Sequence, residues 1–184
     1  DSAACPAGTH AAAGSTECTS CAPGFADSDS NPATECEQCS PGHETSESGG
    51  ATSCTPCASG TADLDSDPAT PCSDCDVGFF SPSDAVVCTP CAAGTVDDDS
   101  DPSTQCTQCD AGSYGAETTT ACVVCVAGST DDDSDPATPC VLCETGTYTE
   151  GGISPCLECV AGTADLDLDA STTCTDCASG TFAA

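Results

Sequence analysis

Residues 91–106 read Cys-Ala-Ala-Gly-Thr-Val-Asp-Asp-Asp-Ser-Asp-Pro-Ser-Thr-Gln-Cys, and close copies of this stretch occupy 21–36, 57–72, 125–140 and 159–174. Cysteine bounds each copy at both ends. The closing cysteine is the first member of a Cys-x-x-Cys pair, as in Cys106-Thr-Gln-Cys109. Such pairs recur every 16 or 18 residues along the 184-residue chain. A spacing this regular predicts an array of small similar units rather than one globular domain.

A second kind of loop alternates with the first. We call the five stretches above the acidic loops, and we call 5–18, 39–54, 75–88, 109–122 and 143–156 the aromatic loops. Both kinds carry a Gly three residues after the opening cysteine, and in the aromatic loops an aromatic residue or His follows two positions later. These residues are His10, Phe80, Tyr114, Tyr148 and, in the last partial loop, Phe182, whereas 39–54 has Glu44. We expect each ring to pack on a neighbouring disulfide.

The true repeat is thus a pair of loops, about 34 residues long. The predicted domains are a first loop at 1–20, two-loop repeats at 21–54, 55–88, 89–122 and 123–156, and an incomplete fifth repeat at 157–184. We expect the native chain to continue beyond the last residue. Within each loop, short Thr- or Val-containing stretches flank Asp-Pro, Asn-Pro or Gly-Gly, which predicts a small two-stranded ribbon with a turn at its tip.

Composition decides between disorder and a disulfide scaffold. Leu, Ile, Val and Phe form only about a tenth of the chain, and 31 acidic residues face no Lys or Arg, which alone would predict disorder. The 21 cysteines reverse that prediction, because closed loops replace the missing core. The predicted fold class is a small disulfide-rich repeat protein of short irregular β-ribbon loops joined by a ladder of disulfides, with little or no helix.

The spacing favours a ladder in which the second cysteine of one pair bonds the first of the next. The ladder is Cys5–Cys18, Cys21–Cys36, Cys39–Cys54, Cys57–Cys72, Cys75–Cys88, Cys91–Cys106, Cys109–Cys122, Cys125–Cys140, Cys143–Cys156 and Cys159–Cys174. Cys177 is left unpaired, and we expect its partner to lie past the end of this sequence. A nested or crossed connectivity is the alternative, since sequence alone does not fix pairing. Zinc binding by the Cys-x-x-Cys pairs is another, disfavoured because two His and no basic residue accompany them.

The composition also constrains compartment and partners. This disulfide density is typical of a secreted, extracellular or cell-surface protein. Without Lys or Arg the chain cannot read nucleic acid phosphates, and it has no apolar run for membrane insertion. The expected partners are copies of itself, other surface or matrix proteins, cations and, on its many Ser and Thr residues, covalent O-glycans. No catalytic set can be assembled from these residues, so we expect no enzyme and no required cofactor.

Each acidic loop carries oxygen-bearing side chains at alternating positions. These acidic triplets are Asp27, Asp29 and Asn31; Asp63, Asp65 and Asp67; Asp97, Asp99 and Asp101; Asp131, Asp133 and Asp135; Asp165, Asp167 and Asp169. Oxygen ligands at this spacing suit calcium. However, the turn Gly and the distal Glu of a helix–loop–helix calcium site are missing. The alternative is a solvated acidic tip that maintains solubility.

The motif Cys-x-x-Cys-x-x-Gly-[Thr/Ser/Phe], continued to the next Cys-x-x-Cys, resembles cysteine-rich repeats of the ephrin-receptor-like type. It is more loosely similar to the modules of growth-factor and TNF-receptor ectodomains. The version at 91–106 looks like long arrays in surface proteins of algae and other protists. The resemblance covers the whole chain and implies an elongated, non-catalytic extracellular rod. We therefore expect a structural element of a cell-surface or matrix filament. The alternatives are a ligand-binding receptor and an adhesin stalk stiffened by calcium.

Overall fold

The computed structural model describes residues 5–180, and Phe182 lies outside that range. Those residues form short antiparallel ribbons, and they contain no helix that is long and apolar enough to span a membrane. The strands are β1 Thr9–His10, β2 Thr19–Ser20, β3 Phe25–Ala26, β4 Glu37–Gln38, β5 His43–Glu44, β6 Thr55–Pro56, β7 Thr61–Ala62, β8 Ser73–Asp74, β9 Phe79–Phe80, β10 Thr89–Pro90, β11 Thr95–Val96, β12 Thr107–Gln108, β13 Ser113–Tyr114, β14 Val123–Val124, β15 Ser129–Thr130, β16 Val141–Leu142, β17 Thr147–Tyr148, β18 Leu157–Glu158, β19 Thr163–Ala164 and β20 Thr175–Asp176. Each odd-numbered strand pairs with the next strand along the chain.

The ribbons differ from the expected ones in where the second strand lies. In the ribbon of loop 91–106, Thr95 faces Gln108 and Val96 faces Thr107. The second strand is therefore the two residues between the cysteines of the next pair, not a stretch inside the loop. The disulfide of Cys106 on one side, and the hydrogen bond from the N–H of Cys109 to the carbonyl of Gly94 on the other, hold these two residues against the strand that follows the loop's Gly. The tip of the loop remains free of strand pairing.

The cysteines form the predicted ladder. Ten disulfides join the second cysteine of one pair to the first of the next, with Cα–Cα distances of 5.6 or 5.7 Å. In residues 5–180, Cys177 is the free cysteine. The fold class of a helix-free, disulfide-stapled repeat of β-ribbon loops is confirmed for this range.

Contacts divide the chain into two compact units. The first contains residues up to Thr89 together with 101–105, and the second contains 90–100 and residues from Cys106 onward. Within each unit the core is thin. It consists mainly of the cysteines that open most of the loops and, in three acidic loops, of the apolar residue at the second position of the first strand. These residues are Cys21, Ala26, Cys39, Cys57, Ala62, Cys75, Cys91, Val96, Cys109 and Cys125, joined by Ala85. Because so little apolar surface is buried, neither unit would stay folded without its disulfides.

Backbone hydrogen bonds tie each loop to the next. In each aromatic loop, the residue directly after the first strand donates its backbone N–H to a carbonyl just beyond the tip of the next acidic loop. Thr45, for example, donates to the carbonyl of Pro68 at 3.0 Å. The same bond joins Ala11 to Pro32, Ser81 to Pro102 and Gly115 to Pro136. The residue beyond the acidic tip contributes only its carbonyl to this bond, so proline, which has no N–H, can occupy that position. Ala170 replaces it in the last acidic loop and accepts from Thr149.

Contacts also reach the loop after next. Gly42 has φ of 84°, and a Cβ built on it would lie 2.4 Å from the carbonyl oxygen of Asp84, two loops further on. Gly8 approaches the carbonyl of Gly50 in the same way. At Gly8 and Gly42, glycine is therefore required twice, by the left-handed backbone and by the close approach of another backbone.

Candidate functional site

The acidic triplets are the sequence-predicted site, and their first carboxylate is buried in the first four loops and half-buried at Asp165. Asp63 is 4% exposed, and its Oδ2 accepts a hydrogen bond from the buried backbone N–H of Gly42 at 2.9 Å. Its own N–H donates to the carbonyl of Ala85. Asp63 thus links its own loop to the loop before it and the loop after it. The same bond from the preceding Gly to the first Asp joins Gly8 to Asp27, Gly112 to Asp131 and Gly146 to Asp165.

The second and third members of each triplet shape the tip. Asp65 accepts from the N–H of Asp67 at 3.0 Å and from the hydroxyl of Thr70, while Asp67 accepts from the N–H of Ala69. Ser66, between the two acids, has φ of 58°. Side chains that accept from the backbone two residues on form Asx turns, which stabilise such a left-handed residue. The second acids Asp29, Asp133 and Asp167 and the third residues Asn31, Asp135 and Asp169 repeat these bonds.

These bonds lower the pKa of the second carboxylate. The N–H of Asp67, followed by the Thr70 hydroxyl, holds the pKa of Asp65 below the ordinary value of 3.8, and the equivalent donors do the same for Asp29, Asp133 and Asp167. For Asp101 and Asp169 the pKa is lowered first by the hydroxyl of Ser103 or Ser171 and then by its N–H. All six groups favour the ionised form because donors point at them.

We expect the tips to loosen only in acid. In the folded protein the pKa of Asp65 lies below 3.8. The turn bonds to its carboxylate therefore add stability that is present above pH 3.8 and is lost as the pH falls through this lowered pKa. An NMR titration should show the amide of Asp67 losing its protection from exchange below that pH. The amide of Cys75, which donates to the carbonyl of Gly60, is the control and should keep its protection. Protection of Asp67 that stays unchanged while the Asp65 carboxylate becomes protonated would contradict this assignment.

The buried carboxylate should matter more for stability than any exposed one. Asp63→Ala leaves the Gly42 N–H buried without an acceptor, and we expect the free energy of unfolding to fall by about 2 kcal/mol. Asp63→Asn retains an acceptor oxygen and should cost less. Asp74→Ala removes an equal charge from an exposed position of the same ribbon and is the control. Denaturant unfolding with the disulfides intact gives the comparison, and equal losses for Asp63→Ala and Asp74→Ala would be the contrary result.

The alternating acids therefore have a structural explanation that does not need an ion. No group of three or more His, Cys, Asp or Glu residues placed to hold a metal ion occurs within residues 5–180. Specific calcium binding by the triplets stays a prediction. Calorimetry at physiological salt tests it: stoichiometric heat of about one ion per repeat would support calcium sites, and heat that salt abolishes would indicate diffuse association with an anionic chain.

The position two residues after the Gly of an aromatic loop is expected to carry a ring that packs on a neighbouring disulfide. In three of these loops the side chain at this position reaches the closing cysteine of the next loop. His10 Nδ1 lies 3.3 Å from Sγ of Cys36. Glu44 stands at the same position, and its carboxylate accepts a hydrogen bond from the N–H of Cys72 at 2.6 Å. The two residues differ in chemistry but reach the same place, which explains how the loop at 39–54 accommodates Glu. Tyr148 lines a small cavity together with Cys174, again the closing cysteine of the next loop.

One feature that the sequence reasoning missed is a set of exposed apolar side chains. The residues between paired cysteines are mostly Thr, Ser, Gln, Asp, Glu or Pro, but they are Val123 and Val124 in one pair and Val141 and Leu142 in the next. All four side chains are exposed. The departure from the repeat consensus was the available signal. Because these pairs form the outer strands of their ribbons, the fold itself does not bury them.

Compared with known proteins, the chain matches no protein-family model and no curated protein sequence.

Proposed function

We propose that the chain is a non-enzymatic stiff repeat rod that forms part of a cell-surface or matrix filament. The disulfide-rich repeat pattern, which fits an extracellular structural or cell-surface protein, supports this proposal. The observation that carries the proposal is the recurrence of the same backbone bonds between successive loops. Thr45 bonds Pro68 and Ser81 bonds Pro102 in the first unit, and Gly115 bonds Pro136 in the second.

Three properties of those bonds support a mechanical role. They join backbone to backbone, so they are insensitive to most side-chain changes. They join each loop to the next, and the close approach of Gly42 to Asp84 adds a contact with the loop after next, which resists bending more than contacts between neighbours alone. The disulfide within each loop restricts the conformational freedom of that loop, so the bonds between loops join loops that are already rigid.

Scattering in solution tests the rod. A compact 184-residue chain has a radius of gyration of about 16 Å. We expect a clearly larger value, together with the linear cross-section region typical of a rod, and we expect both to persist in the monomer. A radius of gyration near the compact value would contradict the proposal. Electron microscopy then tests the filament: ordered polymers support it, whereas particles that stay monomeric at high concentration favour a stalk.

A further inference from the structure

The second unit contains a groove of about 470 Å³ between the acidic loop 125–140 and the aromatic loop 143–156. Its apolar lining comprises Val141, Leu142, Ile153, Pro155 and the disulfide between Cys143 and Cys156. These aliphatic side chains are open to solvent: Leu142 is 78% exposed, Ile153 62% and Val141 49%. Apolar residues gathered in this way on a chain poor in them mark a contact surface.

The apolar lining is not required by the fold. One repeat earlier, a similar groove has Thr107, Gln108 and Ala121 in place of Val141, Leu142 and Pro155, although Val96 and Val124 also line it. The ribbon at Thr107–Gln108 has the same register as the ribbon at Val141–Leu142. Because polar residues form the ribbon equally well, Val141 and Leu142 must be explained by something outside the repeat.

The same groove is acidic. Asp131, Asp132 and Glu144 line it beside the aliphatic side chains. Asp131 is 8% exposed; its Oδ2 accepts from the N–H of Gly112, but its Oδ1 is buried and has no hydrogen-bond partner. A buried carboxylate oxygen without a donor is costly, and a cation beside it removes that cost. The chain has no Lys or Arg, so a second copy cannot supply one.

We propose that this groove binds a segment of another protein that presents an aliphatic side chain next to a Lys or Arg. The aliphatic side chain packs on Leu142 and Ile153. The cation faces Asp131, Asp132 and Glu144. The combination is selective because an acidic partner is repelled and a purely polar cationic partner gains nothing from the apolar lining.

A synthetic peptide of alternating Leu and Lys residues is the probe, titrated into the whole chain by calorimetry at physiological salt. We expect saturable binding at one site. The double variant V141T/L142Q introduces the residues of the preceding repeat, Thr107 and Gln108, and should weaken binding at least tenfold. The double variant V86T/V87Q removes a comparable exposed apolar pair from the first unit and should leave affinity unchanged.

Three results would overturn the proposal. Equal affinity of the peptide for the unchanged chain and for V141T/L142Q would show general attraction to an anionic surface. A control peptide of alternating Lys and Ser residues that binds as tightly as the Leu and Lys peptide would also show general attraction to an anionic surface. Dimerisation by sedimentation that V141T/L142Q abolishes would make the groove a contact between copies of this chain.

Discussion

Gly42→Ala should lower the free energy of unfolding by about 4 kcal/mol, whereas Gly146→Ala should lower it by only about 1 kcal/mol. The two glycines occupy the same position in aromatic loops, with φ of 84° and 85°. Both donate their N–H to the first carboxylate of the next acidic loop. The left-handed backbone therefore costs an alanine the same at both sites. The difference is crowding: a Cβ on Gly42 meets the carbonyl of Asp84 at 2.4 Å, whereas nothing lies within 4 Å of one on Gly146.

Denaturant unfolding with the disulfides intact measures the two costs, and hydrogen exchange locates them. In the Gly42 variant we expect faster exchange at the amide of Asp84, which donates to the carbonyl of Cys57, and at the amide of Thr45. Equal costs for the two variants would mean that contact with the loop after next adds nothing beyond backbone strain, and would contradict the packing described above.

Gly115→Ser should cost about 3 kcal/mol, and Val96→Ala applied to that variant should restore much of the loss. Gly115 has no positive φ, so its small size has a packing reason. A Cβ there would meet Cγ1 of Val96 at 3.0 Å, the carbonyl of Thr95 at 3.1 Å and Sγ of Cys109 at 3.2 Å. Val96 is 2% exposed and fills the space that a serine would need.

In the corresponding pair of the first unit, the smaller residue replaces the valine and a larger residue replaces the glycine. Ala62 stands where Val96 stands in its loop, and Ser81 stands in the place of Gly115. The Ser81 hydroxyl donates to the carbonyl of Thr61 at 2.9 Å. The double variant V96A/G115S recreates this pair, so we expect an interaction energy of about 2 kcal/mol between the two substitutions. Additive losses in a double-mutant cycle would show that the two sites do not share one space.

The regular spacing of the cysteines favoured the disulfide ladder, although sequence alone did not exclude a nested or crossed connectivity. The absence of helix was predictable from the Gly, Pro, Ser, Thr and Asp residues that interrupt every part of the chain. The alternating acids were visible too, but their role was not: nothing in the sequence says that Asp63 bonds Gly42 of the preceding loop. Contacts such as those of Gly42 with Asp84 and of Val96 with Gly115 depend on how successive loops stack. Spacing along the chain does not encode that stacking, and the apolar groove around Leu142 arises from it.

The ladder itself is tested most directly by cutting the unreduced, denatured chain after glutamate, once the Cys177 thiol has been blocked. Cleavage after Glu37 separates Cys36 from Cys39, and cleavage after Glu158 separates Cys156 from Cys159. No bond of the ladder crosses either gap. Mass spectrometry should therefore find three disulfide-linked groups: one containing Cys5 to Cys36, one containing Cys39 to Cys156, and one containing Cys159 to Cys177. Groups that stay joined until a reductant is added would contradict the ladder and the repeat built on it.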